Sequence, residues 1–393
     1  MKKLIAALLA GLMLLSLAAC GGSGNGSGNG SSGDMNVAMV TDSGDITDQS
    51  FNQTTYETAK SWCEKNGVAF NYYKPEKDTD EARNASIDQA VAAGANIILL
   101  PGYMFAASLV AQTNLYPDVK FIGLDVGEGD LCEKGVGADY DYNPANWNVG
   151  DYYNTKNTYC ATYQEEISGF MAGYAAVKLG YRHLGFLGGM DVPAVRRFGY
   201  GYVQGADAAA AELGCTGDVT VEFVCGGQFF GDADITAAMD TWYNTLGVEL
   251  VFACGGGIYT SAAEAAAKGG VGGKVIGVDS DQSSKIDSYA AGMTVTSAMK
   301  GLDATVNMLL TAIKDGKWGD YVGKIENLGM VSDDPSENFV QLPLETTQWA
   351  EGFTKDDYLA LVKDIHGGKI SISNDISAMP SVSVVVNDYG SIK

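Results

Sequence analysis

Histidine is almost missing from this chain: His183 and His366 are the only two among 393 residues. That scarcity removes the commonest general acid–base side chain and metal ligand from most of the sequence. No G-x-S-x-G turn, H-E-x-x-H helix or H-x-E…P-C-x-x-C signature is present, which excludes the familiar hydrolase, metalloprotease and deaminase sites. Of enzymatic chemistries, acid–base work by carboxylates alone stays open. Asp42, Asp45 and Asp48 do not follow the calcium-loop spacing. No two cysteines stand at C-x-x-C spacing, so zinc-ribbon and thioredoxin-like readings fall away, and neither a metal nor a cofactor is expected. Basic residues are also few, 25 against 48 acidic ones, for a formal charge of −23. That balance argues against nucleic acid and anionic lipid surfaces as partners, because phosphate affinity is mostly a basic-patch effect. It also disfavours a strongly anionic solute. Beyond residue 17 no apolar run approaches the roughly 20 residues a spanning helix needs.

The N-terminus is built differently. Met1-Lys2-Lys3 precedes an apolar run from Leu4 to Leu17, which closes on Leu17-Ala18-Ala19-Cys20. A basic start, a short apolar stretch and small residues at the end form a secretory leader, expected over residues 1–19. A Cys directly after Leu-Ala-Ala resembles the bacterial lipobox, so Cys20 is the expected lipidation site and the protein's anchor on the extracytoplasmic face of the cell membrane. Two acyl chains hold a protein at a membrane stably. Gly, Ser and Asn dominate the segment up to Asp34. Residues 20–34 therefore read as the lipidated Cys and a flexible tether, with a coil dimension on the order of 20 Å.

Residues 35–393 form the expected folded body, long enough for two lobes rather than one core. Short apolar runs at 37–41, 69–73, 97–100 and 120–124 alternate with helical stretches at 50–66, 80–93 and 105–115. Gly67 and Gly94 follow two of these helices, where glycine accepts the left-handed cap. Val126 to Thr158 breaks the rhythm and reads as a long connection. The alternation restarts at 159–162 and runs through strands near 183–187, 219–224, 250–253 and 275–279. Such alternation predicts βαβ units and parallel sheets. The fold class is therefore α/β, with two lobes and a cleft between them. The first lobe is placed at about 36–140 plus about 282–320. The second takes about 155–281 plus part of the C-terminal segment.

Ligands of open parallel sheets bind beyond the carboxyl ends of the strands. Directly after the apolar runs stand Asp42 and the stretch to Phe51-Asn52, then Asp125, Gly188-Gly189 with Arg196-Arg197-Phe198, Gly255-Gly256-Gly257, Asp279-Ser-Asp281-Gln282 and Lys300. The glycine triplet lacks the phosphate-loop pattern.

At these residues the chain resembles the basic membrane protein family, whose members are purine-nucleoside-binding lipoproteins of ABC transporters. The resemblance rests on Asp42…Asp48-Gln-Ser-Phe51-Asn52, Ser168-Gly-Phe-Met-Ala-Gly173, Gly188-Gly189…Phe198, Val278-Asp279-Ser-Asp281-Gln282 and Ser297-Ala-Met-Lys300, in that order. It extends from about Asn36 to Leu328 and is weak beyond Val331. It implies that residues 35–393 are a solute-binding body of the type I periplasmic-binding-protein fold, two Rossmann-like lobes with parallel sheets joined by a hinge, with a nucleoside as small-molecule ligand, permease subunits as partners and no catalysis. It also implies roles. Phe51 and Phe198 would sandwich a base, Asp279 would accept from the ribose hydroxyls, and Lys300 would donate to the sugar. Asn52 and Asp125 would read the base edge, Asp42 would join the site, and Gly256 would let the backbone approach the ligand.

Each residue has a structural use as well. The two phenylalanines could be core aromatics, the carboxylates before residue 51 could cap a helix, and Asp279 could cap the next helix, though Asp281 could do that instead. The same fold could bind a sugar, an amino acid or a signalling molecule, and an exported nucleoside-processing enzyme is a third reading.

Overall fold

The computed structural model describes residues 35–42, 44–268 and 272–393. The leader, Cys20 and the tether lie outside the described residues. The chain opens with β1 (Asn36–Val40), α1 (Phe51–Asn66), β2 (Ala69–Tyr73), α2 (Asp80–Ala92), β3 (Ile97–Pro101), α3 (Ala106–Gln112) and β4 (Lys120–Leu124). The central strands read as almost continuous apolar runs because helices cover both of their faces. Gly67 closes α1 at φ +65°, the left-handed conformation for which glycine was expected. The connection after β4 contains a helix that composition concealed, α4 (Glu128–Val136), followed by short 3₁₀ turns.

Next come β5 (Thr158–Tyr163), α5 (Glu165–Lys178), β6 (His183–Gly188), α6 (Pro193–Leu213), β7 (Thr220–Cys225), α7 (Ala233–Thr241), β8 (Leu250–Cys254) and α8 (Tyr259–Lys268). The chain ends through β9 (Lys274–Asp279), α9 (Ser283–Ile286), β10 (Thr294–Lys300), α10 (Leu302–Lys314), β11 (Ile325–Leu328), β12 (Val340–Gln341), α11 (Lys355–His366) and β13 (Val385–Ser391).

Two sheets result, in the orders β11-β5-β4-β3-β1-β2 and β12-β10-β9-β8-β6-β7-β13. All pairings are parallel except the short β10–β12 ladder. This order moves the lobe boundaries drawn from sequence. β5 pairs with β4 and β11 in the first sheet, although the alternation restarts there. β10 pairs with β9 in the second, whereas α10 packs its Leu302, Val306 and Leu309 into the first lobe's core. The chain therefore crosses between lobes after Tyr163, after Lys300 and after Leu328. Local periodicity cannot show this, because a strand has the same pattern whichever sheet receives it.

The C-terminal segment belongs to the second lobe: Phe353, Tyr358 and Leu361 join its core, and β13 extends its edge beside β7. Helices α5 and α6 approach closely through glycines. A Cβ on Gly169 would stand 2.1 Å from the Phe198 carbonyl oxygen, and one on Gly173 would stand 2.0 Å from that of Tyr202. The Gly169…Gly173 pair thus fixes the start of α6, which carries Phe198.

Among the described residues no helix is long and apolar enough to cross a membrane. The six cysteines described are unpaired thiols, and all but Cys215 are buried. They act as small apolar side chains.

Candidate functional site

Between the lobes, at the carboxyl ends of both sheets, lies a cavity of about 1070 Å³. It stands at the upper end of the roughly 300–1,000 Å³ usual for small-molecule sites. Asp42, Phe51, Asn52, Asp125, Phe198, Gly256, Asp279 and Lys300 all line it. They meet because each ends or follows one of six strands, β1, β4, β6, β8, β9 and β10, that point at this cleft.

Lys300, the last residue of β10, organises one half of the site. Its side chain is almost fully buried, and its Nζ lies 2.7 Å from Asp125 Oδ2, 3.2 Å from Glu165 Oε1 and 3.8 Å from Asp279 Oδ1. The same ammonium stands 5.1 Å from the Phe51 ring centre and 5.4 Å from those of Tyr163 and Phe198. Burial works against its charge, but the three carboxylates more than offset that and hold its pKa above the ordinary lysine value. The charge is thus retained where a ligand can meet it.

Asp125 and Asp279 carry left-handed backbones, φ +60° and +63°. Such conformations are uncommon outside glycine but accessible to Asp, and they recur at functional sites. Burial pushes Asp125 up to about 7 despite Lys300, and its Oδ1 has no hydrogen-bond partner. Asp279 is engaged across the cleft, accepting from Ser50 Oγ at 2.6 Å. It does not cap a helix. Asp281 takes that task, accepting from Ser283 N–H at 3.0 Å.

The other half is built around Asp42. Its Oδ1 accepts from Gly44 N–H at 2.6 Å and from Asn52 Nδ2 at 2.8 Å. Burial raises its pKa to about 6, although both bonds favour the ionised form. Asp48 is the capping carboxylate of α1, accepting from the backbone N–H groups of Ser50, Asn52 and Gln53. Asp45 pairs instead with Lys74 near solvent. The three aspartates of this segment therefore divide, and only the one directly after the strand reaches deep into the cleft.

Two details differ from the sequence-based expectation. Asp125 joins Lys300, whereas Asn52 gives both amide hydrogens to Asp42 and Asp48. The pair expected at one base edge is therefore split between the two halves. Gly256, at φ +51°, is required first by the protein itself: a Cβ there would meet the Phe229 carbonyl oxygen at 2.7 Å. Phe198 serves two purposes, since it is only 2 % exposed, packs edge-on against Phe252 at 6.0 Å and still faces Lys300.

Four further residues complete the site. Tyr163 ends β5 and Glu165 stands two residues beyond it, so the strand-end rule extends to them. Ser50 precedes Phe51 in the motif already noted. Arg197 lines the cavity and donates from Nε to Glu165 Oε2 at 2.5 Å. Burial alone would raise Glu165, but Arg197 and Lys300 hold it below its ordinary value.

Two lobes with parallel sheets, crossover connections and a cleft-facing site define a type I periplasmic-binding-protein fold. A solved ABC transporter solute-binding protein from Aeropyrum pernix K1 superposes with a TM-score of 0.62 at 21 % identity, covering 86 % of this chain and 87 % of that one. Residues 35–330 match the family described as ABC transporter substrate-binding protein, PnrA-like, and the chain belongs to that family. It is a solute-binding protein, not an enzyme. A Lactococcus lactis protein named ABC transporter nucleoside-binding protein BmpA is 27 % identical over 338 residues, 81 % of this chain and 87 % of its own length. A Pyrococcus abyssi lipoprotein is 24 % identical over 376 residues, covering 93 % and 85 %.

Proposed function

We propose that this substrate-binding protein captures a nucleoside, with a purine base favoured, and presents it to the permease subunits of an ABC importer. The observation that carries this reading is the Lys300 ammonium within about 5 Å of the Phe51 and Phe198 ring centres, with Asp125 and Asp279 beside it. Aromatic faces suit a flat base, and stacking contributes roughly 1–3 kcal/mol per base. Vicinal ribose hydroxyls suit a carboxylate that accepts from both and an ammonium that donates, so Asp279 and Lys300 take the sugar. Asp42, held by the Asn52 side-chain amide at 2.8 Å, takes the base edge. Diacylation of Cys20 and the tether after it keep the binding body at the extracytoplasmic membrane surface, within reach of the permease.

A thermal-shift and calorimetric screen of nucleosides, free bases, pentoses, hexoses and amino acids tests the ligand class. Nucleosides are expected to give the largest shifts. Saturable binding of a sugar or amino acid, with nucleosides inert, would overturn it.

A further inference from the structure

We propose that Asp42 is a proton-dependent selector of the base, preferring a hydrogen-bond donor on the ligand when ionised and an acceptor when protonated. The proposal rests on the nucleoside reading above and extends it to which bases are preferred.

The geometry leaves Asp42 one working atom. Its Oδ1 already accepts two hydrogen bonds, from Gly44 and Asn52. Its Oδ2 makes no protein hydrogen bond among the described residues and lies against Gly102, where a Cβ would come within 3.0 Å. Gly102 thereby leaves Oδ2 open to the cleft. Asn52 cannot supply a donor in its place, because both of its amide hydrogens go to Asp42 and Asp48. The Asp42–Asn52 pair therefore offers the cleft only acceptor atoms while Asp42 is ionised. Because Oδ1 is saturated by donors, an added proton has Oδ2 as its site, and that atom then becomes a donor.

The surroundings let this proton bind near neutrality. Burial is the main cause that raises this carboxyl to about 6, and Asp48 and Asp78 add like charge. Tyr103 lines the same part of the cavity, and burial first, then the Asp42 charge, raise its hydroxyl's pKa. The nearby cations are already paired, Lys74 with Asp45 and Arg83 with Asp78 and Asp80.

Adenosine and inosine separate the two states, because their donors and acceptors are exchanged at both positions 1 and 6 of the base. They carry the same ribose, so titration of Asp125 beside Lys300 affects both equally and cancels in their affinity ratio. Calorimetry between about pH 5 and 7.5 should show the adenosine-to-inosine ratio changing by roughly three- to tenfold, the factor for one hydrogen bond made or lost. The direction reports which base position faces Asp42. The ratio should become independent of pH in Asp42→Asn. In Asp78→Asn, which removes one like charge without touching Oδ2, its midpoint should move to lower pH. A ratio that is constant with pH in the parent, or equally pH-dependent in Asp42→Asn, overturns the proposal while leaving nucleoside binding intact. Failure of both nucleosides to bind at any pH overturns the underlying ligand reading instead.

Discussion

Ser50 and Asp279 are 229 positions apart in the chain, yet the Ser50 hydroxyl donates to Asp279 Oδ2 at 2.6 Å across the cleft. Ser50 precedes α1 in the first lobe, and Asp279 ends β9 in the second. Gln49 reinforces the junction, its carbonyl accepting from Gln282 Nε2 at 3.1 Å and Ser280 Oγ at 3.3 Å. In the proposed binding mode, ligand capture and lobe closure share the Asp279 carboxylate.

Substitution at these two positions should separate the roles. Ser50→Ala removes a closing bond and should enlarge the ligand-free radius of gyration, while preserving preference for a ribonucleoside over its free base. Asp279→Asn is the better partner variant than Ala, because Asn tolerates φ near +63°. It should shrink that preference by about 1.5–3 kcal/mol, the range for a bond to a charged group. Scattering and calorimetry on both variants check this. Equal loss of preference in both would show that Asp279 acts only as a latch.

Phe198→Ala should weaken nucleoside binding by roughly 1–3 kcal/mol through the lost stack. It should also lower stability by about 3–5 kcal/mol, since the ring fills core space against Phe252. Ligand-driven compaction should fall too, because the ligand loses part of its preference for the closed arrangement. If the variant is less stable but binds and closes like the parent, Phe198 is only a core residue.

Uncharged nucleosides should bind more tightly than their monophosphates, by about tenfold or more given the cost of unpaired charge near buried carboxylates. Lys300 is not the only cation in the cleft, but Arg197 and Lys74 are already paired with Glu165 and Asp45. A monophosphate of equal affinity in calorimetry would mean that one of these pairs opens for the phosphate.

Stability should fall as pH rises from about 5 to 8. Burial raises Asp42 to about 6 and both Asp125 and Glu166 to about 7. A carboxyl whose folded pKa is raised binds more protons folded than unfolded in this window, so its stabilisation is lost as pH climbs through the folded value. Glu165 has the opposite shift, and its contribution is lost only in more acid solution. Denaturant midpoints should be higher near pH 5 than pH 8, and Glu166→Gln should reduce the difference. A midpoint that rises with pH would contradict this assignment.

Cys20→Ser should abolish incorporation of labelled fatty acid and either release the protein from membranes or leave its leader uncleaved. Normal acylation of the variant would refute the lipobox.

Sequence alone determined the elements and the places to look. Apolar runs of strand length, a helix closed by Gly67 in left-handed conformation, and the rule that ligands bind beyond the ends of parallel strands put Asp42, Asp125, Phe198, Asp279 and Lys300 among the candidates, and the family resemblance then selected them. These are local properties, readable from side-chain period and backbone preference. Tertiary structure decided the rest. It placed β5 in the first sheet and β10 in the second, because sheet membership is a choice among equivalent apolar runs made by packing. It joined Asp125 to Lys300 and Asn52 to Asp42, and brought Ser50 to Asp279. It enclosed Asp42 deeply enough to raise its pKa toward neutrality. Burial, charge pairing and proton affinity depend on what surrounds a group in space, and residues hundreds of positions apart supply those surroundings.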